Sequence, residues 1–184
     1  MKWWKYLLSI SFILSATSCN TFNGKSFQIS YIKEIYDIYD GDTFYILVNN
    51  EIEKIRVFGI DTPEIKNDKK IKYSNLFAQK AKLTTLNFIK HTPLKITFLK
   101  FDKYKRNVAL IQNSLNQDLG QFLIREGLAK IQYVSNNQWN KNFFINDYQL
   151  VEYVKKLEKL QTIAKKREKG IWNPKFQEKE IFRK

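Results

Sequence analysis

Short runs of β-branched and aromatic residues dominate two parts of the chain, before residue 61 and between residues 94 and 112. Turn signals separate the early runs, with Asp40-Gly41 after the first and the hairpin signal Asn49-Asn50 after the second. The runs are nearly continuous in apolar residues, which predicts strands that curl into a barrel or are covered by helices on one side. The predicted strands cover residues 29–36, 44–48, 52–60, 94–101 and 107–112.

Apolar residues spaced for one helical face predict three helices. The first lies behind a capping candidate at Ser74 or Asn75 and follows residues 65–73, which have no apolar periodicity and are predicted to form an exposed loop. A short second helix stops at Gly127, and the third runs from about Asp147 to Glu168. We therefore predict an α+β fold with three α-helices, in the element order of a five-stranded OB-fold β-barrel, although order alone does not determine that topology.

Composition points to a polyanionic partner for this chain. Its 184 residues suit one domain, 43% of them are hydrophobic, and the formal net charge is +14. Nucleic acid, anionic lipid headgroups and acidic polysaccharide all fit this charge, and so does a merely soluble basic surface.

The first 18 residues are typical of a secretory signal, since Lys2 and Lys5 precede an apolar stretch and then small residues. Leu14 and the residues before Cys19 resemble a relaxed bacterial lipoprotein box, which implies diacylation of Cys19. The alternative is an ordinary signal peptide that leaves Cys19 as a free thiol. The apolar stretch is short of the ~20 residues needed to span a bilayer. We predict a signal peptide at 1–18, a lipidated N-terminus and tether at 19–26, the main domain at 27–175 and a basic C-terminal tail at 176–184.

Two acidic clusters surround one arginine in the strand region, and this pattern suggests phosphodiester chemistry. A single His and a single Cys exclude a zinc site of the usual kind. A hard cation on oxygen ligands remains, with Asp42, Asp61 and the carbonyl of Thr62 as candidates. Arg56 is then the candidate phosphate ligand, and Glu64 belongs to the second acidic cluster.

Each piece of this pattern has a plainer interpretation. Asp40-Gly41-Asp42 taken alone is more often a simple turn. Arg56 taken alone could be a structural strand residue that pairs with Glu51 or Glu53. The combination carries the hypothesis.

The motifs together resemble the staphylococcal (thermo)nuclease family in order and spacing. The resemblance extends over nearly the whole chain after the predicted signal, and the linked set is far more specific than any single tetrapeptide. The matching segments are Asp40-Gly41-Asp42-Thr43, Arg56, Asp61-Thr62-Pro63-Glu64, Asp102-Lys103-Tyr104-Lys105-Arg106, Glu126-Gly127-Leu128-Ala129-Lys130 and Gly170-Ile171-Trp172.

The resemblance implies an OB-fold enzyme that cuts DNA and RNA with Ca²⁺, for which Mg²⁺ or Mn²⁺ are conceivable substitutes. By position, Asp42, Asp61 and the Thr62 carbonyl would bind the metal, and Glu64 would orient or deprotonate the attacking water. The remaining roles implied are phosphate clamping by Arg56 and Arg106, terminal-phosphate contact by Lys103 and Tyr104, and base or sugar packing by Tyr133.

Three departures from the family pattern stand out. Lys105 occupies the place where glycine is usual, so the backbone there could differ or the added charge could strengthen phosphate binding. Ser135 replaces a second tyrosine, and residues 136–142 lack a proline often found there.

The sequence thus predicts an extracytoplasmic, calcium-dependent endonuclease with little sequence specificity. It would act as a monomer on DNA and RNA and would be tied to a membrane through the Cys19 lipid or else be secreted, and the sequence implies no protein partner. The alternative is a non-catalytic nucleic-acid-binding or adhesin-like lipoprotein on the same fold.

Overall fold

The computed structural model describes residues 20–22, 25–48, 50–65 and 72–182, with side chains placed from residue 28 onward. The predicted signal peptide, Cys19 and most of the predicted 65–73 loop lie outside the described residues. No helix in the described part is both long and apolar enough to cross a membrane.

One curled sheet forms the centre of the molecule and confirms the α+β, OB-type prediction. The strands are β1 Asn20–Phe22, β2 Lys25–Ile32, β3 Ile35–Ile38, β4 Thr43–Val48, β5 Glu51–Val57, β6 Ile60–Asp61, β7 Leu94–Phe101, β8 Asn107–Gln112 and β9 Lys130–Ile131. The order in the curled sheet is β1-β2-β7-β8-β5-β4-β3, with β5 and β8 parallel and the other neighbours antiparallel. Strands β6 and β9 form a separate antiparallel pair.

The first predicted strand, residues 29–36, was wrong as a single element. The chain is interrupted at Lys33 and Glu34, so that β2 pairs with β7 while β3 pairs with β4 on the far side of the sheet. A single straight strand could not reach both partners. The interruption therefore links the two sides of the sheet through the chain and curls it towards a barrel.

The three predicted helices are present. Helix α1 spans Ser74–Ile89, α2 spans Leu119–Arg125 and α3 spans Tyr148–Lys166. Asp118 and Asp147 cap α2 and α3 by accepting backbone N–H groups. The predicted cap of α1 was wrong, because Tyr73 holds the N-cap position and the Ser74 hydroxyl donates instead to the Glu64 carbonyl oxygen at 2.6 Å.

The core lies between the concave face of the sheet and the helices. Fully buried side chains from β4, β5, β7 and β8 meet residues from all three helices. Phe176, in the segment assigned to the tail, packs edge-on against Phe77, and Phe182 is buried in the same core. The domain bounds stay a prediction. The largest fully buried members include Phe44, Ile46, Ile55, Phe77, Leu94, Ile96, Ile111, Leu123 and Leu157.

Two glycines join the last matching motif to α2. Gly127 and Gly170 both have positive φ, as predicted for a left-handed cap at Gly127. The Ile171 N–H donates to the Gly127 carbonyl at 2.8 Å, and a Cβ on Gly170 would lie 2.0 Å from that oxygen. Only glycine permits this approach.

Candidate active site

A cleft of about 660 Å³ opens where β3, β4 and β5 meet the loops after β6, β7 and β9. It collects predicted residues from separate parts of the chain. The lining residues are Tyr39, Asp40, Thr43, Lys54, Arg56, Asp61, Thr62, Glu64, Ile65, Tyr104, Arg106 and Tyr133.

Asp42 lies directly behind this lining and is fully buried. Its Oδ2 accepts hydrogen bonds from the Thr62 N–H at 2.6 Å and the Thr62 hydroxyl at 2.9 Å. Its Oδ1 accepts from the Thr43 hydroxyl at 3.0 Å and forms an ion pair with Nη1 of Arg56. A buried carboxylate needs such compensation, which β4, β5 and the Thr62 segment supply together.

Arg56 joins the two carboxylates predicted to hold a metal. Besides pairing with Asp42, its Nη2 donates to Asp61 Oδ1 and to the Ile60 carbonyl, both at 2.9 Å. The partners named in the plainer interpretation of Arg56 were wrong, since its ion pairs are with Asp42 and Asp61 and not with Glu51 or Glu53. Its contact with a phosphate stays a prediction.

The carboxylates beside Arg56 are partly withdrawn from water. Burial raises the pKa of Asp61 above its usual value, although the neighbouring Arg56 guanidinium opposes the rise. Burial also raises the pKa of Asp40 against the same opposing charge. Asp40 Oδ1 accepts from the Asp42 N–H at 3.1 Å and so shapes the turn, while pairing of Asp61 with Lys130 across β6 and β9 positions Asp61.

Glu64 lies at the exposed lip of the cleft. The Ser74 hydroxyl binds its carbonyl oxygen, so the first turn of α1 holds the backbone that carries this acid. Its charge is close enough to contribute to the raised pKa of Asp61. The predicted general base therefore faces solvent beside the predicted metal ligands.

Arg106 enters the cleft from the turn between β7 and β8. Its Nε and Nη2 each donate to Asp102 Oδ2 at 2.7 Å, while Asp102 Oδ1 accepts the N–H groups of Tyr104 and Arg106. Burial alone would raise the pKa of Asp102, but these hydrogen bonds and the Arg106 charge hold that pKa below its usual value. Lys105 has φ +60°, so this lysine adopts the left-handed conformation that favours glycine.

The predicted substrate aromatics also reach the cleft. Tyr104 is 67% exposed, and the guanidinium carbon of Arg106 lies 5.3 Å from its ring centroid. Tyr133 has φ +61°, and its ring lies 5.5 Å from both the Arg56 guanidinium carbon and the Phe143 ring centroid. Lys103 is exposed with its ammonium 4.9 Å from the Tyr104 ring, and it does not line the cleft.

Three contributions were missed from the sequence. Tyr39 and Lys54 line the cleft. Lys54 could have been found from the sequence, because it is two residues from Arg56 on β5 and therefore on the same face of the strand. Thr85 of α1 donates to the Gly41 carbonyl at 2.6 Å and holds the Asp40–Asp42 turn. No local pattern connects Thr85 to that turn.

The donors fit a hard cation by their chemistry. Asp42, Asp61 and the Thr62 carbonyl supply only oxygen, which suits Ca²⁺ or Mg²⁺. In the described part of the chain, no three His, Cys, Asp or Glu side chains cluster closely enough to hold a metal by themselves. Two carboxylates and a backbone carbonyl are the residues that would hold it, and Arg56 contacts both carboxylates.

Comparison with known proteins shows the family to which the chain belongs. An uncharacterized protein of Methanocaldococcus jannaschii is 30% identical over 164 residues, covering 78% of this chain and 72% of that protein. The micrococcal nuclease of Shigella flexneri is 24% identical over 150 residues, covering 76% of this chain and 72% of that protein. Residues 54–174 match the family described as Staphylococcal nuclease homologue. The chain therefore belongs to the family of staphylococcal nuclease homologues.

Proposed function

We propose that this protein is a calcium-dependent endonuclease that hydrolyses phosphodiester bonds of DNA and RNA with little sequence specificity. One observation carries the proposal: Arg56, Asp61, Glu64 and Arg106 come from separate segments and line one cleft, with Asp42 buried behind it. The net charge of +14 supports a nucleic acid partner.

The reaction is the attack of water on phosphorus with cleavage of one P–O ester bond. Glu64 orients the attacking water or accepts its proton, and the leaving oxygen takes a proton from solvent. Arg56 and Arg106 donate hydrogen bonds to the non-bridging oxygens, and these bonds strengthen as negative charge develops in the transition state. Ca²⁺ held by Asp42, Asp61 and the Thr62 carbonyl would supply further positive charge at this phosphate.

Base identity has little influence in this scheme. Charge and ring stacking would bind the strand, and neither reads the edges of bases in a groove. Tyr104 and Tyr133 offer exposed rings, and Lys103 adds charge beside Tyr104. Together they would hold a neighbouring phosphate and base.

The competing proposal is a non-catalytic binder of nucleic acid on the same fold. A binder needs only its basic surface, whereas Arg56, which lines the cleft, forms a buried ion pair with Asp42 directly behind it. A buried pair of this kind often adds little stability compared with apolar residues. The site chemistry therefore favours the enzyme.

The test is cleavage of single- and double-stranded DNA and of RNA by the purified protein, with calcium and then with a chelator. We expect digestion that chelation abolishes. Glu64→Ala and Arg106→Ala should each reduce the rate by ~10²- to 10³-fold. Glu158→Ala and Arg125→Ala are matched controls on exposed helix positions outside the cleft and should retain activity. Binding without cleavage at any metal concentration would refute the enzyme.

Arg56→Ala belongs in the same series but needs a folding control. Removing this guanidinium leaves Asp42 buried without its ionic partner, which typically costs ~3–5 kcal/mol. Loss of activity is informative for Arg56 only if thermal melting shows a folded variant.

We also propose that the protein is exported and anchored through a lipid on Cys19, as a monomer. The support is the signal-like pattern before Cys19 together with the absence of a second cysteine for a disulfide. Metabolic labelling with a radioactive fatty acid should mark the parental protein but not Cys19→Ser. Export without labelling would favour simple cleavage of the signal peptide.

A further inference from the structure

The cleft has a second pair of aromatic and basic side chains, built from β4, β5 and the residue before the Asp40 turn. The ammonium of Lys54 lies 5.0 Å from the ring centroid of Tyr39 and 5.3 Å from that of Tyr45. Tyr39 and Lys54 both line the cleft. None of the motifs that led to the proposed active site includes these three residues.

The strand register places this pair next to the proposed phosphate site. Tyr45 lies opposite Lys54 on β4 and β5, and Thr43 lies opposite Arg56 two pairs further along. Side chains repeat their direction every two strand residues, a step of about 7 Å. Lys54 therefore lies on the same face of the sheet as Arg56, one such step away. This distance is comparable to the distance between adjacent phosphates in an extended nucleic acid strand.

The Lys54 charge is positioned but not neutralised. Contact with two rings restrains the ammonium through cation–π attraction. Among the described residues, Lys54 forms no ion pair with a carboxylate, and the adjacent Glu53 accepts instead from the Asn107 side chain at 3.0 Å. An unpaired, restrained cation in a cleft is suited to bind an anion.

Tyr39 completes the arrangement with an accessible ring. It is 60% exposed, and its backbone is held from α1, where Lys82 Nζ donates to the Tyr39 carbonyl at 3.4 Å. A ring that served only to stabilise the fold would bury more of its surface. The exposed area suits stacking against a planar base.

We propose that Tyr39 and Lys54 form a nucleotide subsite next to the scissile phosphate. Lys54 binds the neighbouring phosphate of the same strand, and Tyr39 stacks on its base. This inference rests on the proposed function and adds a second stacking position, on different elements from Tyr104 and Tyr133. Substrates long enough to reach the subsite bind more tightly than a dinucleotide.

Equilibrium binding in the presence of chelator tests the subsite independently of cleavage. The probe is a fluorescent single-stranded oligonucleotide of about ten nucleotides, compared with a labelled dinucleotide. With the full chain, we expect Tyr39→Leu to weaken oligonucleotide binding by about tenfold and Tyr39→Phe to keep parental affinity. Lys54→Gln should weaken binding severalfold and lower the slope of log affinity against log salt by about one.

Two controls match the variants in chemistry. Tyr148→Leu removes an equally exposed tyrosine from α3, and Lys159→Gln removes an exposed charge from the same helix. Both should bind the oligonucleotide within about twofold of the parental protein, because neither residue lines the cleft. If Tyr39→Leu does not fold, the Lys54→Gln measurement carries the test.

The outcomes separate the two proposals. Parental affinity in Lys54→Gln and in a folded Tyr39→Leu, or an equal loss for the dinucleotide, overturns the subsite while leaving the nuclease intact. A length-dependent loss in a protein that never cleaves supports the subsite and refutes the nuclease.

Discussion

Gly41 lies where helix α1 meets the turn that carries Asp40 and Asp42, and its replacement by alanine should strain that contact. A Cβ at this position would lie 2.5 Å from the Cβ of Ala81 and 2.9 Å from Cγ2 of Thr62. Both distances are shorter than normal carbon contacts. The turn or the helix must therefore move in Gly41→Ala.

The expected cost follows from the packing. Overfilling a well-packed site typically costs ~1–3 kcal/mol, and Ala81→Gly alone should cost ~1 kcal/mol through helix propensity. Ala81→Gly removes the shorter of the two clashes, so the double variant should be at least about 1 kcal/mol more stable than the sum of the single changes predicts.

Urea unfolding of the parental protein, Gly41→Ala, Ala81→Gly and the double variant measures this coupling. Ala78→Gly is the matched control, since it places glycine in the same helix at a buried alanine that is not among the nearest neighbours of Gly41. Gly41→Ala combined with Ala78→Gly should be additive. If Gly41→Ala and Ala81→Gly are also additive within ~0.5 kcal/mol, the contact between residue 41 and helix α1 does not require glycine.

Three further predictions concern stability and the second arginine. Burial raises the pKa of Asp118 to about 6, so its stabilising effect is complete below the unfolded pKa of 3.8 and is lost as pH rises through 6. Between pH 5 and 7 the loss is about 1 kcal/mol, and urea unfolding should show it in the parental protein but not in Asp118→Asn, which keeps a capping oxygen. Lys105→Gly should raise the free energy of unfolding by about 0.5–1 kcal/mol, because glycine adopts φ +60° without strain; a lower value would contradict this. Asp102→Asn replaces one carboxylate oxygen by an NH2 group, and the oxygen that remains is needed by the Tyr104 and Arg106 N–H groups, so the Arg106 guanidinium loses its acceptor and its ionic partner. The change should lower kcat by roughly 10- to 100-fold with a smaller change in KM, whereas unchanged kcat would mean that Arg106 is positioned without Asp102.

The local features were readable from the residues. Strand runs, helix faces and the turn at Asp40-Gly41 depend on side-chain type and short-range geometry, and most were predicted near their observed positions, although the runs 29–36 and 52–60 each divide into two strands. The cap of α1 failed because Ser74 bonds to Glu64, a partner ten residues away whose position depends on the fold. The prediction of one strand over residues 29–36 failed because β2 pairs with β7 whereas β3 pairs with β4, and these long-range pairings determine where the strand is interrupted.

The candidate site divides in the same way. The resemblance named its acids and arginines, but it could not show that Arg56 spans Asp42 and Asp61 or that Asp102 holds Arg106. These relations arise because the curled sheet brings β4, β5, β6 and the β7–β8 turn to one cleft. Side-chain identity sets which chemistry is possible, and long-range packing sets which groups meet, since no short-range rule relates residues that far apart in the chain.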